Sequence, residues 1–226
     1  MTRPLYNRFA WAYDELVPDP AGLSVERIAE RLEPGCVVVD AGCGTGRYTA
    51  GLARLGFRVI GIDRSAALLA QARARTDAEL IEADLLDWEP REPVDAVFCR
   101  GVLNDLTADA DRRAAFAAFA RWLRPGGVLI ADVRDWDATV ERYAGRGPVE
   151  QSAGDLRYRT ETTLDGGLMR IHETYGDERH EFTMRPWTPA EVRTAATAAG
   201  FASVDVQPGG DVGIAPDRLL VVARVG

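Results

Sequence analysis

Short apolar runs alternate with segments of helical periodicity between residues 36 and 135. In the helical segments apolar residues recur three and four positions apart, as in the stripe Phe116, Phe119 and Leu123 before Pro125-Gly126-Gly127. Strands that alternate with helices predict a doubly wound, mostly parallel α/β sheet. The five strands expected from the apolar runs lie at 36–40, 58–63, 79–83, 95–99 and 128–133.

The periodicity changes to two residues in the segment 156–185. Apolar and polar side chains alternate on both sides of Asp165-Gly166-Gly167, and Gly176-Asp177 supplies a second turn. The pattern predicts a small antiparallel lid of three strands inserted after the parallel sheet.

The last segment, 188–226, contains a helix and two more strands. Thr188-Pro189-Ala190-Glu191 has the form of a capping box with proline at the first helical position. The apolar runs at 202–207 and 218–225 are expected to form an antiparallel pair at the edge of the sheet. The fold class is therefore α/β, with seven strands, the last of them antiparallel.

Composition limits the function classes. The chain has 226 residues, 46% of them hydrophobic, which suits one domain over 1–226. The formal net charge is −8 and no cluster of basic residues stands out, which argues against a nucleic-acid partner. The three cysteines form no CxxC pair, so neither a metal site nor a disulfide framework is expected. No signal peptide or membrane span is evident, and a cytoplasmic location is the default expectation.

The stretch Val37-Val-Val-Asp-Ala-Gly-Cys-Gly-Thr-Gly46 carries the strongest functional signal. An apolar strand ends at Asp40, and glycines at alternate positions then predict a tight turn into a helix N-terminus that a ligand can approach. The next strand ends at Asp63, where an acid suits a ribose diol. The loop is GxGxG rather than the GxGxxG of dinucleotide sites, and no Gly-Lys-Ser/Thr of a Walker loop occurs. We expect Asp40 to orient the loop or the ammonium of a ligand, directly or through water.

Five motifs in this order resemble those of the class I S-adenosylmethionine-dependent methyltransferases, whose sheet is Rossmann-like. They are Asp40–Gly46, Asp63-Arg64, Glu82-Ala-Asp-Leu85, Val94–Arg100 and Leu123-Arg-Pro-Gly-Gly127. The resemblance implies S-adenosyl-L-methionine as cofactor, S-adenosyl-L-homocysteine as product, and a cofactor-binding core over 36–135. The cofactor-binding residues that it implies are Tyr13, Asp40, Gly42, Cys43, Gly44, Gly46, Asp63, Arg64, Asp84, Leu85 and Arg100.

Within that family the chain is more similar to small-molecule N-methyltransferases that act on glycine-like or amino-sugar acceptors. Tyr6–Asp14 resembles their N-terminal entry helix, expected over 1–22, with Tyr13 above the cofactor and Tyr6 near the acceptor. Arg134, after the fifth strand, resembles an arginine that holds an acceptor carboxylate. The histidine that follows their fourth strand is absent, since Arg100-Gly-Val-Leu-Asn-Asp-Leu106 has Asn104 and Asp105 there. A histidine-assisted mechanism is therefore not expected.

Each acceptor-side candidate has an alternative structural interpretation. Asp105 and Asn104 could supply a base or anchor an ammonium, or could cap a loop. Arg134 could hold the acceptor or form an ion pair with Asp132 or Asp135. His172 could act in catalysis and, with Tyr158, bind the acceptor, although exposed strand positions and packing are the common roles of such residues.

These observations predict methyl transfer to a nitrogen, or less favourably an oxygen, of a small-molecule acceptor, as in secondary metabolism. Four alternatives stay open at this point: another reaction on the same cofactor, an RNA or protein methyltransferase, a non-enzymatic binding module and, least favoured because of the glycine spacing, an NAD-linked dehydrogenase. The acidic charge opposes an RNA substrate, and no membrane partner is expected. Exposed lid strands could pair two chains as a homodimer.

Overall fold

The structure is a computed structural model, and it describes residues 3–17 and 24–226. The predicted five parallel strands and the C-terminal pair are present, and β5 begins earlier than expected, at Leu123. The strands are β1 (Val37–Ala41), β2 (Arg58–Asp63), β3 (Glu79–Glu82), β4 (Val94–Arg100), β5 (Leu123–Arg134), β6 (Val149–Ala153), β7 (Leu156–Asp165), β8 (Leu168–Tyr175), β9 (Glu178–Met184), β10 (Phe201–Pro208) and β11 (Arg218–Val225).

Helices cover the sheet and connect its strands. Ser65 caps α4 by accepting a hydrogen bond from the backbone N–H of Leu68, as the sequence predicts. The capping box of α7 is also confirmed, because Thr188 and Glu191 each bond the other's backbone. The helices are α1 (Tyr13–Leu16), α2 (Val25–Ala29), α3 (Arg47–Arg54), α4 (Ala66–Arg73), α5 (Asp109–Trp122), α6 (Trp136–Tyr143) and α7 (Pro189–Ala198).

The central sheet has seven strands in the order β10-β11-β5-β4-β1-β2-β3. β1 pairs in parallel with β2 and β4, and the strand order reverses there, so a crevice opens beyond their carboxyl ends. β11 runs antiparallel to both β5 and β10, which confirms the predicted antiparallel last strand. The core on one face is built mainly by α5 and α7, with Phe116, Phe119 and Trp122 fully buried.

The lid is a second, antiparallel sheet with four strands rather than the predicted three. The strand that the sequence analysis missed is β6, which pairs with β7. Its sequence, Val149-Glu-Gln-Ser-Ala153, offers one fully buried side chain, Ala153, so it lacks the apolar alternation that marks β7 and β8. The strand is specified by its partner and not by its own pattern.

The N-terminal segment, residues 3–17, lies between the lid and the central sheet. The predicted long entry helix is not formed in this segment, which has two 3₁₀ turns at Pro4–Tyr6 and Ala10–Ala12 and then the single turn of α1. Leu5, Ala12 and Leu16 are buried against lid residues such as Tyr158 and Tyr175. The part of the predicted helix at 1–2 and 18–22 lies outside the described residues.

Among residues 3–17 and 24–226, no helix has both the length and the apolarity needed to cross a membrane.

Candidate functional site

A cavity of about 280 Å³ opens beyond the carboxyl ends of the parallel strands and reaches the N-terminal segment and the lid. The cavity has two ends. The glycine-loop end comprises Gly42, Gly44, Asp63 and Asp84, and the Asp105 end comprises Tyr6, Asp105, Arg134, Arg218 and Met184. Small-molecule sites typically enclose on the order of 300–1,000 Å³, so this volume lies at the lower limit of that range.

The glycine loop turns β1 into α3 at the first end of the cavity. Gly44 has a φ of +55°, which favours glycine, and a Cβ built on it meets nothing within 4 Å, so the backbone there is open to a ligand. Gly46 has a φ of +75°, and its Cβ would stand 2.7 Å from the Cβ of Ala72 on α4. Gly46 does not line the cavity; it allows α3 and α4 to approach.

Asp63, at the end of β2, faces the cavity and is held by two backbone donors. The N–H of Gly44 donates to Asp63 Oδ2 at 2.9 Å, and the N–H of Ser65 donates to Oδ1 at 2.8 Å. Burial raises the pKa of Asp63, and the two backbone hydrogen bonds oppose that effect. Each carboxylate oxygen has two lone pairs, so the group can still accept hydrogen bonds from a diol.

Asp40 and Cys43 lie behind the loop, away from the cavity lining. Asp40 is 2% exposed and accepts a hydrogen bond from Thr49 Oγ1 of α3 at 2.6 Å. Burial raises the pKa of Asp40 to about 6. Of the two expected roles, this geometry suits orientation of the loop and its helix. Burial also raises the pKa of the Cys43 thiol, which disfavours the reactive thiolate, and a packing role suits this cysteine.

The other cofactor-binding candidates reach the same cavity. Arg64, Asp84, Leu85 and Arg100 all line it, together with Tyr13 of α1. Arg64 and Asp84 face each other at 4.0 Å as a half-exposed pair, and Leu85 is buried. Arg100 lies over the ring of Tyr48, 5.2 Å from its centroid.

At the second end of the cavity, Asp105 and Asn104 have different roles. Asn104 is 1% exposed, donates from Nδ2 to the carbonyl of Gly101 at 3.0 Å and accepts from the N–H of Arg134 at 2.8 Å. Its amide therefore holds the loop after β4 against β5. Asp105 lines the cavity and accepts a hydrogen bond from the hydroxyl of Tyr6 at 3.2 Å. Asp105 is the carboxylate that a ligand can reach at this end.

Burial raises the pKa of Asp105 to about 6. The guanidinium of Arg3 and the hydroxyl of Tyr6 act in the opposite direction, because each stabilises the carboxylate. Near neutral pH the group is therefore mainly ionised and still basic enough to take a proton. A carboxyl group tuned in this direction suits general-base chemistry.

Arg134 and Arg218 form the floor of the cavity at the Asp105 end. They are register partners on β5 and β11. Arg134 forms an ion pair with Asp217, and not with Asp132 or Asp135 as the structural interpretation expected. Arg218 pairs with Asp132 at 3.2 Å. Burial and the charge of Arg218 lower the pKa of Arg134. The buried Nε of Arg134 has no hydrogen-bond partner.

Two acceptor candidates lie outside the cavity lining. His172 is on the outer face of β8 with its side chain 49% exposed, and its Nδ1 is 3.6 Å from Glu181 Oε2. Tyr158 is buried in the lid, where its hydroxyl donates to Glu173 at 2.6 Å. Sequence reasoning missed the cavity residues Arg3 and Arg218, which belong to no motif and reach the site only through tertiary contacts.

The donor set fits S-adenosylmethionine. Asp63 can accept from the ribose hydroxyls, and the apolar side chains of Ile62, Leu68 and Leu85 offer walls for the adenine. The open backbone at Gly44 suits the amino-acid tail.

Comparisons with known proteins agree with this fit. A family model described as a methyltransferase domain matches residues 38–127. A dTDP-3-amino-3,6-dideoxy-α-D-glucopyranose N,N-dimethyltransferase of Streptomyces fradiae is 30% identical, over 78% of this chain and 73% of the relative. A glycine/sarcosine N-methyltransferase of Parasynechococcus marenigrum is 29% identical, over 74% of this chain and 63% of the relative.

The solved structures include an amino pentose methyltransferase of Micromonospora echinaspora with S-adenosylmethionine bound. It is 26% identical, with a TM-score of 0.72 over 97% of both chains. Some relatives are longer: the match to a trans-aconitate 2-methyltransferase of Azoarcus sp., 38% identical over 52% of this chain, spans only 47% of that protein. The match to the Streptomyces fradiae enzyme, which covers most of both chains, shows that the chain belongs to the S-adenosylmethionine-dependent methyltransferases.

Proposed function

We propose that this protein transfers a methyl group from S-adenosylmethionine to an amine nitrogen of a small acceptor. The observation that carries the proposal is the position of Asp105. It is a half-buried carboxylate with a pKa raised to about 6, and it lines the same cavity as the glycine loop and Asp63.

The chemistry requires an unprotonated nucleophile at a fixed position. When bound, S-adenosylmethionine supplies a methyl group activated by its sulfonium. Asp105 accepts the proton that the acceptor nitrogen must lose, and Tyr6 holds the carboxylate through its hydroxyl. The cavity walls align the nitrogen with the methyl group, and this alignment supplies the remaining rate acceleration, because displacement reactions depend mainly on proximity and orientation.

Several features support a small acceptor. Tyr6, Tyr13 and Met184 wall the cavity on the side of the N-terminal segment and lid, which leaves room for a small molecule. A net charge of −8 disfavours a nucleic acid. The acceptors named for the relatives, a dTDP-linked amino sugar and glycine or sarcosine, are low-molecular-weight compounds that carry an amine.

Arg134 and Arg218 favour an acceptor that carries an acid group near its amine. Both guanidinium groups line the floor beside Asp105, and the two cations repel each other. Arg134 also keeps its ion pair with Asp217, so it would hold the acceptor with its remaining donors.

The test is a panel of small acceptors in matched pairs, in which the amine is replaced by a hydroxyl and the neighbouring acid by its amide. Release of adenosylhomocysteine is followed with wild type, Asp105→Asn and the control Asp109→Asn, an exposed carboxylate four residues along the chain. We expect turnover with amino acids or amino-sugar acids, a loss of at least tenfold in Asp105→Asn, and none in the control. Turnover of the hydroxyl compounds alone, or no turnover, would contradict an N-methyltransferase.

Three further expectations stay predictions. They are a cytoplasmic location, pairing of lid strands in a homodimer, and a single domain over 1–226. Gel filtration with light scattering tests the second, and limited proteolysis tests the third.

A further inference from the structure

A buried glutamate in the lid has no part in the proposed reaction. Glu173 of β8 is 1% exposed and collects several donors. Arg3 donates to its Oε1 from Nε at 2.8 Å and from Nη2 at 2.5 Å, Tyr158 donates to the same oxygen, and Tyr175 donates to Oε2 at 2.8 Å. A buried carboxylate this completely bonded fixes its cationic partner.

Arg3 also reaches the Asp105 end of the cavity. Arg3 Nη1 donates to the hydroxyl oxygen of Tyr6 at 3.2 Å, and Tyr6 donates onward to Asp105 at 3.2 Å. The guanidinium also lies over the ring of Phe182, 4.7 Å from its centroid. An unbroken chain of hydrogen bonds therefore runs from Glu173 in the lid through Arg3 and Tyr6 to Asp105.

We propose that Arg3 is a positioning residue of the reaction, which orients Tyr6 and keeps Asp105 an ionised, correctly directed carboxylate while the N-terminal segment is docked on the lid. The inference rests on the role proposed for Asp105. It assigns the lid a function in catalysis, since Glu173 fixes the guanidinium that acts on the base.

Arg3 is not needed merely to hold the segment in place. Arg8 pairs with Glu178 of the lid, Ser65 Oγ donates to the carbonyl of Tyr6, and Gln71 donates to the carbonyl of Ala10. Asp14 bonds Thr45 and pairs with Arg47 and Arg75. The segment is therefore tied at four other points, and burying a cation at Arg3 adds a desolvation cost that docking alone does not require.

Several other groups also face Asp105. They are Tyr6 and Tyr13 from the N-terminal segment, Arg64 after β2, Cys99 on β4 and Arg218 on β11. Arg64 is more than half exposed, and Arg218 is paired with Asp132, so both act on Asp105 less directly than Arg3. The removal of the Arg3 charge should therefore make Asp105 harder to ionise.

The test is a direct titration of Asp105 by ¹³C NMR in the adenosylhomocysteine complex of the full chain, with aspartate carboxyls labelled. Asp105→Asn assigns the resonance. The variants are Arg3→Gln, Arg3→Lys and Tyr6→Phe. Arg8→Gln is the matched control, since it removes another ion pair between the same segment and the lid.

We expect Arg3→Gln to raise the pKa of Asp105 by on the order of one unit. Arg3→Lys should restore most of the wild-type value, Tyr6→Phe should raise the pKa, and Arg8→Gln should leave it unchanged. An unchanged value in Arg3→Gln would overturn the proposal. A fall toward the value of a solvated aspartate would also overturn it, because it would show that Arg3 only holds the segment closed.

The pH dependence of kcat/KM separates this proposal from the proposed function. With an accepted amine, the acid limb should move to higher pH in Arg3→Gln by the same shift that NMR records. If the NMR shift appears but no amine is methylated by wild type, the proposed function fails. If wild type methylates an amine and Arg3→Gln keeps its acid limb, only the role of Arg3 fails.

Discussion

The side chain of Asp63 accepts a hydrogen bond from the backbone amide of Gly44, at 2.9 Å, and so joins the end of β2 to the loop after β1. The amide of Ser65 donates to the other carboxylate oxygen at 2.8 Å. The acid proposed to bind the ribose therefore also fixes the loop proposed to bind the amino-acid tail. The proposed ribose site and the proposed tail site are therefore held together by this hydrogen bond, so a change at Asp63 is expected to affect both.

Replacement of Asp63 should weaken cofactor binding. Asp63→Asn removes the charge that strengthens bonds to the ribose hydroxyls, and it presents an amide N–H₂ to at least one backbone donor. Hydrogen bonds to charged groups contribute roughly 1.5–3 kcal/mol, so we expect affinity for adenosylhomocysteine to fall by about 10- to 100-fold. Isothermal titration calorimetry measures this, with the exposed Asp77→Asn as control. Equal affinity in wild type and Asp63→Asn would contradict the site.

Gly46 tests the close approach of α3 and α4. An alanine there would have its Cβ 2.7 Å from the Cβ of Ala72 and would occupy a φ of +75°. Gly56 has a φ of +90° with nothing within 4 Å, so Gly56→Ala carries only the backbone strain. We expect Gly46→Ala to lower the free energy of unfolding by roughly 1–3 kcal/mol more than Gly56→Ala does. Urea denaturation measures both, and equal losses would show that packing at Gly46 is not limiting.

The fold could be predicted from the sequence where local pattern and tertiary structure agree. Strands such as β1 and β4 are buried on both faces, so their apolar runs are continuous, and α7 has its cap in four consecutive residues. β6 carries no such signal, because three of its five side chains are exposed and only Ala153 is buried. Its pairing with β7 defines it as a strand. The N-terminal segment was predicted as one helix from its resemblance to the entry helix of the N-methyltransferases. Phe9 and Tyr13 pack against buried lid residues, whereas Trp11 is 57% exposed. The backbone leaves the helical region at Asn7, directly after the first 3₁₀ turn.

The activity should depend on the ionisation of Asp105. Its pKa is raised to about 6, so the carboxylate needed as base is lost as the pH falls through that value. We expect kcat/KM of wild type to decline tenfold per unit below about pH 6 and to level off above it. Asp105→Asn should have low activity without this acid limb. If kcat/KM of wild type stayed constant from about pH 5 to about pH 8, Asp105 would be excluded as the base.

Asp40 gives a pH dependence of stability. Its folded-state pKa is raised from 3.8 to about 6, so between these values the folded protein binds a proton that the unfolded chain releases. Stability from this group is therefore greatest at the acid end of that window and is lost as the pH rises through about 6. Relative to Asp40→Asn, wild type should lose unfolding free energy from about pH 4 to 6.

A second aspartate provides the opposite sign for comparison. The amide of Val37 and the guanidinium of Arg124 lower the pKa of Asp95, so its contribution is lost as the pH falls below the usual aspartate value. Relative to Asp95→Asn, the unfolding free energy of wild type should increase as the pH rises toward the usual pKa of an aspartate, 3.8. Denaturant titrations at several pH values measure both differences. Parallel curves for wild type and Asp40→Asn would refute the assigned environment of Asp40.

Spacing alone predicted the site where residues follow strand ends, and the resemblance added Tyr6, Tyr13 and Arg134, which also line the cavity. Asp63 and Arg100 are the last residues of β2 and β4, Asp84 follows β3, and Asp105 lies in the loop after β4. Parallel strands end at one edge of the sheet, so these residues come together there. Arg3 and Arg218 reach the cavity from the two ends of the chain, and no spacing indicates that. His172 was proposed from its residue type, but the alternation of β8 directs it to the outer face of the lid, opposite the side that holds Glu173.

The most direct measurement is transfer of an isotope-labelled methyl group. Wild type and Asp105→Asn are incubated at neutral pH with methyl-¹³C S-adenosylmethionine and the acceptor panel, and products are identified by NMR. The account predicts label on nitrogen in wild type, equimolar adenosylhomocysteine, and at least a tenfold loss in Asp105→Asn. Label on oxygen or carbon, or full transfer by Asp105→Asn, would contradict it.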